Sequence, residues 1–163
     1  ELDKFDAMLP DKYYLKFYQG TCHLNGGNPK DALPFFEQAL QLDPATQEIA
    51  TIYSYMGVCH KEMGRYREAL AVLRKGASHD SERTDIFNLM GFCHFKLKEH
   101  EKAIEKFKQV LKLDPSSAID YANIASNYRQ MGKQQRAILV YRTALDLDGT
   151  IQFAQDHLHE LLN

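Results

Sequence analysis

The sequence predicts an all-α fold, an α-α superhelix in which four helix-turn-helix units form a right-handed solenoid with a C-terminal capping helix. Three observations predict it. The chain resembles itself at a period of 34 residues; apolar residues recur at three- and four-residue spacing inside each repeat; and glycines or Asp-Pro pairs stand where helices must end.

The period is read from four aligned segments, YQGTCHLNGG, YMGVCHKEMG, LMGFCHFKLK and NIASNYRQMG, which bring Gly20, Gly57, Gly91 and Ala125 into register at steps of 37, 34 and 34 residues. Twelve residues after each small residue stands Ala32, Ala69, Ala103 or Ala137, and four further on Phe36, Leu73, Phe107 or Tyr141. Each unit therefore reads as two helices. In the third, Phe87, Met90, Gly91, His94 and Leu97 form one face of the first helix, and Ala103, Ile104, Phe107, Val110 and Leu111 one face of the second. Gly91 and Ala103 let two backbones approach closely, and the aromatic rings fill the space beside that contact. Gly27, Gly64 and Gly132 are placed to end first helices, because glycine takes the left-handed C-cap conformation cheaply. Asp43-Pro44 and Asp114-Pro115 stop second helices, since the residue before proline is pushed out of the α region. The three extra residues Gln47 to Ile49 lengthen one first helix by about a turn.

With the aromatic, the Leu-Gly-like pair, the loop glycine, the alanine, the second aromatic and the closing proline on the page, the chain resembles the tetratricopeptide repeat (TPR) family over residues 13 to 151. The repeats span 13–46, 50–83, 84–117 and 118–151. Residues 1–12, with Phe5, Met8, Leu9 and Pro10 one period before the closing residues of the first repeat, read as the stub of a preceding helix or linker. Residues 152–163 read as the capping helix, with Ala154, Leu158, Leu161 and Leu162 as its apolar stripe. Several positions depart from the pattern. Lys16 stands for the large aromatic, His23, His60 and His94 for tyrosine, Lys98 for the loop glycine, Ser81 for the closing proline and Gly76 for an alanine.

The resemblance implies that the first helices line a groove for a partner peptide. Helical geometry names the same stripe, because in the third repeat Asn88, Phe92 and Phe95 project roughly opposite the packed face, and Phe92 and Phe95 have no obvious partner within their own repeat. The corresponding residues are Tyr14, Phe17, Thr21 and Leu24 in the first repeat, Tyr55 and Val58 in the second, and Asn123, Ser126 and Arg129 in the fourth. The stripe is apolar and aromatic at its start and polar at its end. Relatives that grip a terminal carboxylate use paired Lys or Arg with Asn, whereas the matching positions here hold Phe17, Thr21, Tyr55, Asp85 and Leu89. An apolar or amphipathic segment is therefore the expected ligand.

Charge and composition exclude other classes. A net charge of −2 with interleaved lysines and glutamates offers no basic stripe for nucleic acid. No apolar run is long enough to span a bilayer, so direct membrane insertion is not expected. The odd count of three cysteines suits a reducing compartment, hence the cytoplasm. The recurring pairs Cys22-His23, Cys59-His60 and Cys93-His94 do not read as metal ligands, because adjacent residues diverge by about 100° on a helix. Repeat duplication accounts for them, each cysteine filling a small buried slot. No phosphate loop, HExxH or nucleophile elbow occurs, so the chain is expected to be a non-catalytic scaffold or adaptor without a cofactor. Two further readings stand beside it, a self-associating TPR scaffold and the regulatory region of a larger enzyme, since a chain starting at Glu1 reads as a fragment.

Overall fold

The computed structural model describes residues 12–163; the expected stub at 1–12 therefore lies, all but its last residue, outside the described part. Every regular element among the described residues is helical: α1 (Lys12–Asn25), α2 (Pro29–Leu40), α3 (Thr46–Glu62), α4 (Tyr66–His79), α5 (Thr84–Lys96), α6 (His100–Leu113), α7 (Ala118–Gln130), α8 (Gln134–Leu147) and α9 (Gln152–Leu162). The chain divides into two compact units, Glu1–Ser81 and Glu82–Asn163.

The first unit holds two helix pairs, α1/α2 and α3/α4. Gly57 in α3 lies against Leu73 in α4, and a Cβ added to Gly20 in α1 would fall 2.7 Å from Phe36 in α2. The small residue of each first helix is thus the seat for the large residue of the second, as the register implies. Ala32, Phe36 and Ala39 of α2 then join Ile52, Met56 and Cys59 of α3 in one buried cluster, which ties the pairs together. The extra residues do lengthen α3, which runs for 17 residues against 14 in α1. Lys16, in place of an aromatic, sets its ammonium 5.7 Å from the Phe35 ring.

The second unit repeats the plan with α5/α6 and α7/α8, and α9 packs on α8. A Cβ on Gly91 would meet Phe107 at 2.7 Å. Ala122, Ala125, Ala137, Tyr141, Ala144 and Ala154 form the core of the last pair and its cap. Ala154, Leu158 and Leu161 face that core as expected, whereas Leu162 is exposed and Phe153 takes a place in the packing instead.

First helices end as the punctuation predicts: Gly27, Gly64 and Gly132 have φ of 76°, 70° and 71°. Lys98 adopts the same left-handed conformation, φ 59°, without being glycine. Beside it, Glu99 Oε2 lies 2.7 Å from Nδ1 of the buried His94. That hydrogen bond is the main cause holding the Glu99 carboxyl below its ordinary range.

One expectation about the cysteines is corrected. Cys59 and Cys93 are buried, and burial pushes the Cys59 thiol up to about 12. Cys22, at the same register position, is exposed.

Candidate peptide-binding face

In the first unit the stripe is built by α1 and α3. Phe17 meets the Tyr55 ring edge-on at 5.0 Å, and both rings lean on the buried Phe36, at 5.7 and 5.8 Å. Phe17, Leu24 and Tyr55 are half-buried against the core cluster, so the fold brings them together with one side committed to packing. Val58 is also half-buried. Tyr14 is 52% exposed and touches Tyr13 edge-on. Thr21 donates its hydroxyl to the Tyr18 carbonyl of its own helix and joins no cluster that the structure shows.

In the second unit, Phe92 is 37% exposed, with the Lys96 ammonium beside its ring, 5.3 Å from the centre. Phe95 corrects the sequence reading. It meets His100 edge-on at 5.8 Å and packs on the cluster of Ala103, Ile104, Phe107 and Ile124, so it has a partner in its own repeat after all.

The polar end of the stripe forms a linked network. Asn88 Nδ2 donates to Asp120 Oδ2 at 3.3 Å, and Ser117 Oγ donates to the same oxygen at 2.6 Å. Asp120 is fully buried, and among the described residues its Oδ1 has no hydrogen-bond partner. Burial raises its carboxyl above the ordinary range, against the pull of Ser117, Asn88 and Asn123. Ser126 Oγ lies 2.8 Å from the Tyr141 hydroxyl, which in turn lies 3.0 Å from His157 Nδ1. Burial lifts the Tyr141 phenol and lowers the His157 imidazole, so both favour their neutral forms. The hydroxyl can donate to one neighbour and accept from the other, which satisfies a fully buried phenol. Arg129 pairs with Glu160 of α9, and the two border a cleft of 460 Å³ completed by Gln130, Gln134 and Leu161.

Asp120, His157 and Glu160 were missed from the sequence, and Tyr141 was read there only as a packing residue. Only Asp120 left a signal: it occupies the register position of Leu15, Ile52 and Ile86, where an apolar residue belongs.

The raised Asp120 value has a definite consequence. A carboxyl that binds its proton more tightly when folded contributes stability below its unfolded value near 4, and that contribution is lost as the pH rises through the folded value. Asp120→Asn is therefore expected to raise the melting temperature more at pH 7 than at pH 4. Equal shifts at the two pH values would remove the buried-charge explanation.

Paired antiparallel helices, each glycine or alanine seated under a large residue, define a helical-repeat protein. The chain belongs to the tetratricopeptide repeat family. Residues 17–119 match the cytochrome c-type biogenesis protein H TPR domain, and residues 121–150 match the tetratricopeptide repeat. Among curated proteins, the photosystem I assembly protein Ycf3 of Rippkaea orientalis (strain PCC 8801 / RF-1) is 34% identical over 73 residues, 42% of either chain; the match thus spans under half of that relative's length. Among solved structures, MamA from Desulfovibrio magneticus RS-1 superposes with a TM-score of 0.84 at 20% identity, covering 93% of this chain and 84% of that one. YrrB, described as a TPR protein with an unusual peptide-binding site, gives a TM-score of 0.79 at 18% identity over 90% and 74% of the two chains. The first TPR of Spaghetti (RPAP3), bound to the HSP90 peptide SRMEEVD, gives 0.67 at 20% identity over 71% and 91%. These likenesses show a shared TPR fold.

Proposed function

We propose that this chain is a non-catalytic protein-interaction module that receives an apolar or amphipathic segment of a partner along the stripe on its first helices, as scaffold or adaptor. The observation that carries the reading is the exposed aromatic surface within each unit: Tyr14 at 52% exposure on α1, with the half-open Phe17 and Tyr55, in the first, and Phe92 at 37% on α5 in the second. Aromatic rings that stay open on a rigid helical scaffold supply contact area at little entropic cost. The peptide-bound and peptide-binding relatives of the same fold support the class of activity. The ligand chemistry differs from an acidic tail. Positions where a carboxylate grip needs Lys, Arg or Asn hold Phe17, Thr21, Tyr55, Asp85 and Leu89, and Arg129 is already paired with Glu160.

A peptide with leucines at i, i+3, i+4 and i+7, titrated into the labelled chain, should shift the amides of α1, α3 and α5. Phe92→Ala should weaken that binding about tenfold, a loss of about 1.4 kcal/mol, and leave the melting temperature within a degree or two, because this ring is not core. Unchanged affinity in the variant would defeat the proposal.

A further inference from the structure

The last helix is more than a cap. Counting on from α7 by the period of 34 residues, Asp120, Ile124 and Asn127 fall on Ala154, Leu158 and Leu161. The three α7 residues are buried, and the three α9 residues belong to or pack on the core of the last pair. By its register, α9 therefore packs as a further first helix. The same count carries Asn123 and Ser126 of the stripe onto His157 and Glu160. Two contacts set these beside the stripe. The Tyr141 hydroxyl bridges Ser126 Oγ, at 2.8 Å, and His157 Nδ1, at 3.0 Å, and Arg129 Nη2 donates to Glu160 Oε2 at 2.5 Å. The polar end of the stripe thus has α7 for one wall and α9 for the other.

The cleft lined by Arg129, Glu160, Gln130, Gln134 and Leu161 opens at this end, and its 460 Å³ lies within the range of about 300–1,000 Å³ that small-ligand sites occupy. The ion pair can be reached from it, since the Arg129 and Glu160 side chains are 29% and 58% exposed. Their charges cancel. A charged ligand is attracted by one partner and repelled by the other, and gives up its hydration for little return. An uncharged amide suits both. Its N–H donates to the Glu160 carboxylate, and its C=O accepts from the Arg129 guanidinium, which has donors beyond the one given to Glu160. The exposed Gln130 and Gln134 carry a further donor and acceptor each, and Leu161 supplies an apolar surface for the aliphatic stem. A helical partner has spent its main-chain amides on its own turns, so the amide must come from a side chain. We infer that this cleft binds the carboxamide of a glutamine or asparagine in the partner segment, with α9 as one of its walls. The inference rests on the peptide-binding reading for the kind of partner, while its contacts are separate from the aromatic rings.

The test titrates the whole 163-residue chain with the N-acetyl methylamides of glutamine, alanine, glutamate and lysine, following the backbone amides of the cleft residues by NMR. The glutamine probe should shift them saturably, and the other three should bind about tenfold more weakly. Glu160→Gln frees Arg129 and leaves the cleft cationic, so the glutamate probe should overtake glutamine there. Arg129→Gln leaves Glu160 alone, so the lysine probe should overtake instead. Both variants keep Ala154, Leu158 and Leu161 in place, which holds α9 on the core. Phe92→Ala, which tests the aromatic stripe, should leave the order of the probes unchanged, so the two readings fail separately. The inference is overturned if the glutamine probe does not shift the cleft amides, or if the alanine probe, which carries main-chain amides only, matches it. It is overturned equally if glutamate or lysine binds best to the native chain, or if the order of the probes is the same in the native chain and both cleft variants.

Discussion

Leucine in place of Gly91 is expected to open the α5/α6 pair. The first carbon of the new side chain would lie 2.7 Å from Cε1 and Cζ of Phe107 and 3.0 Å from Cδ1. That ring is 3% exposed and has no route outward, so the helices must separate or the ring must leave its rotamer. Overpacking of this kind costs about 1–3 kcal/mol or more. In a helical repeat, the loss falls on the unit that carries it. Amide protection should therefore collapse first in α5 and α6. Gly149→Ala is the control, because the nearest atom to its new carbon is a carbonyl oxygen at an ordinary 3.6 Å. A leucine variant that melts with the native chain would refute the close contact on which the whole register rests.

Phe36→Ala is expected to cost the first unit about 3–5 kcal/mol, the usual range for emptying a buried aromatic site. Phe36 is fully buried, and its ring supports Phe17 and Tyr55. The loss should reach function too, since both supported rings belong to the proposed binding face. Gly20 makes the test sharper. A methyl there would overlap the Phe36 ring at 2.7 Å, so Gly20→Ala should destabilise the native chain. With the ring removed, the same methyl enters vacated space and should restore part of the loss. Additive effects, measured by thermal melting of the four chains, would show that glycine and ring do not meet.

The register carried the fold because it encodes contacts rather than propensities. Gly20 with Phe36, Gly57 with Leu73 and Gly91 with Phe107 are pairs of a missing side chain and a large one, and the structure joins each pair. Even Lys98, which carries no turn signature, was placed by register, and it holds a left-handed φ of 59° where the other repeats use glycine. The binding face was less legible. A helical wheel places Phe95 away from the packed face of α5, yet it cannot show that His100 and Ile104 of the next helix reach round to meet it. The network around Asp120 and the Arg129–Glu160 pair join residues 32 and 31 positions apart, spacings that no local pattern reports. Cys22 failed for a different reason. Three matching cysteines imply one environment only if every first helix has the same neighbour.

Selection from a peptide library reads directly what kind of segment the first helices hold. A random library of displayed 12-residue peptides, panned on the native chain with Phe92→Ala as the counter-target, should enrich sequences rich in leucine, phenylalanine and tyrosine at helical or alternating spacing. Enrichment of acidic sequences that depend on a free C-terminal carboxylate, held equally by the variant, would contradict it.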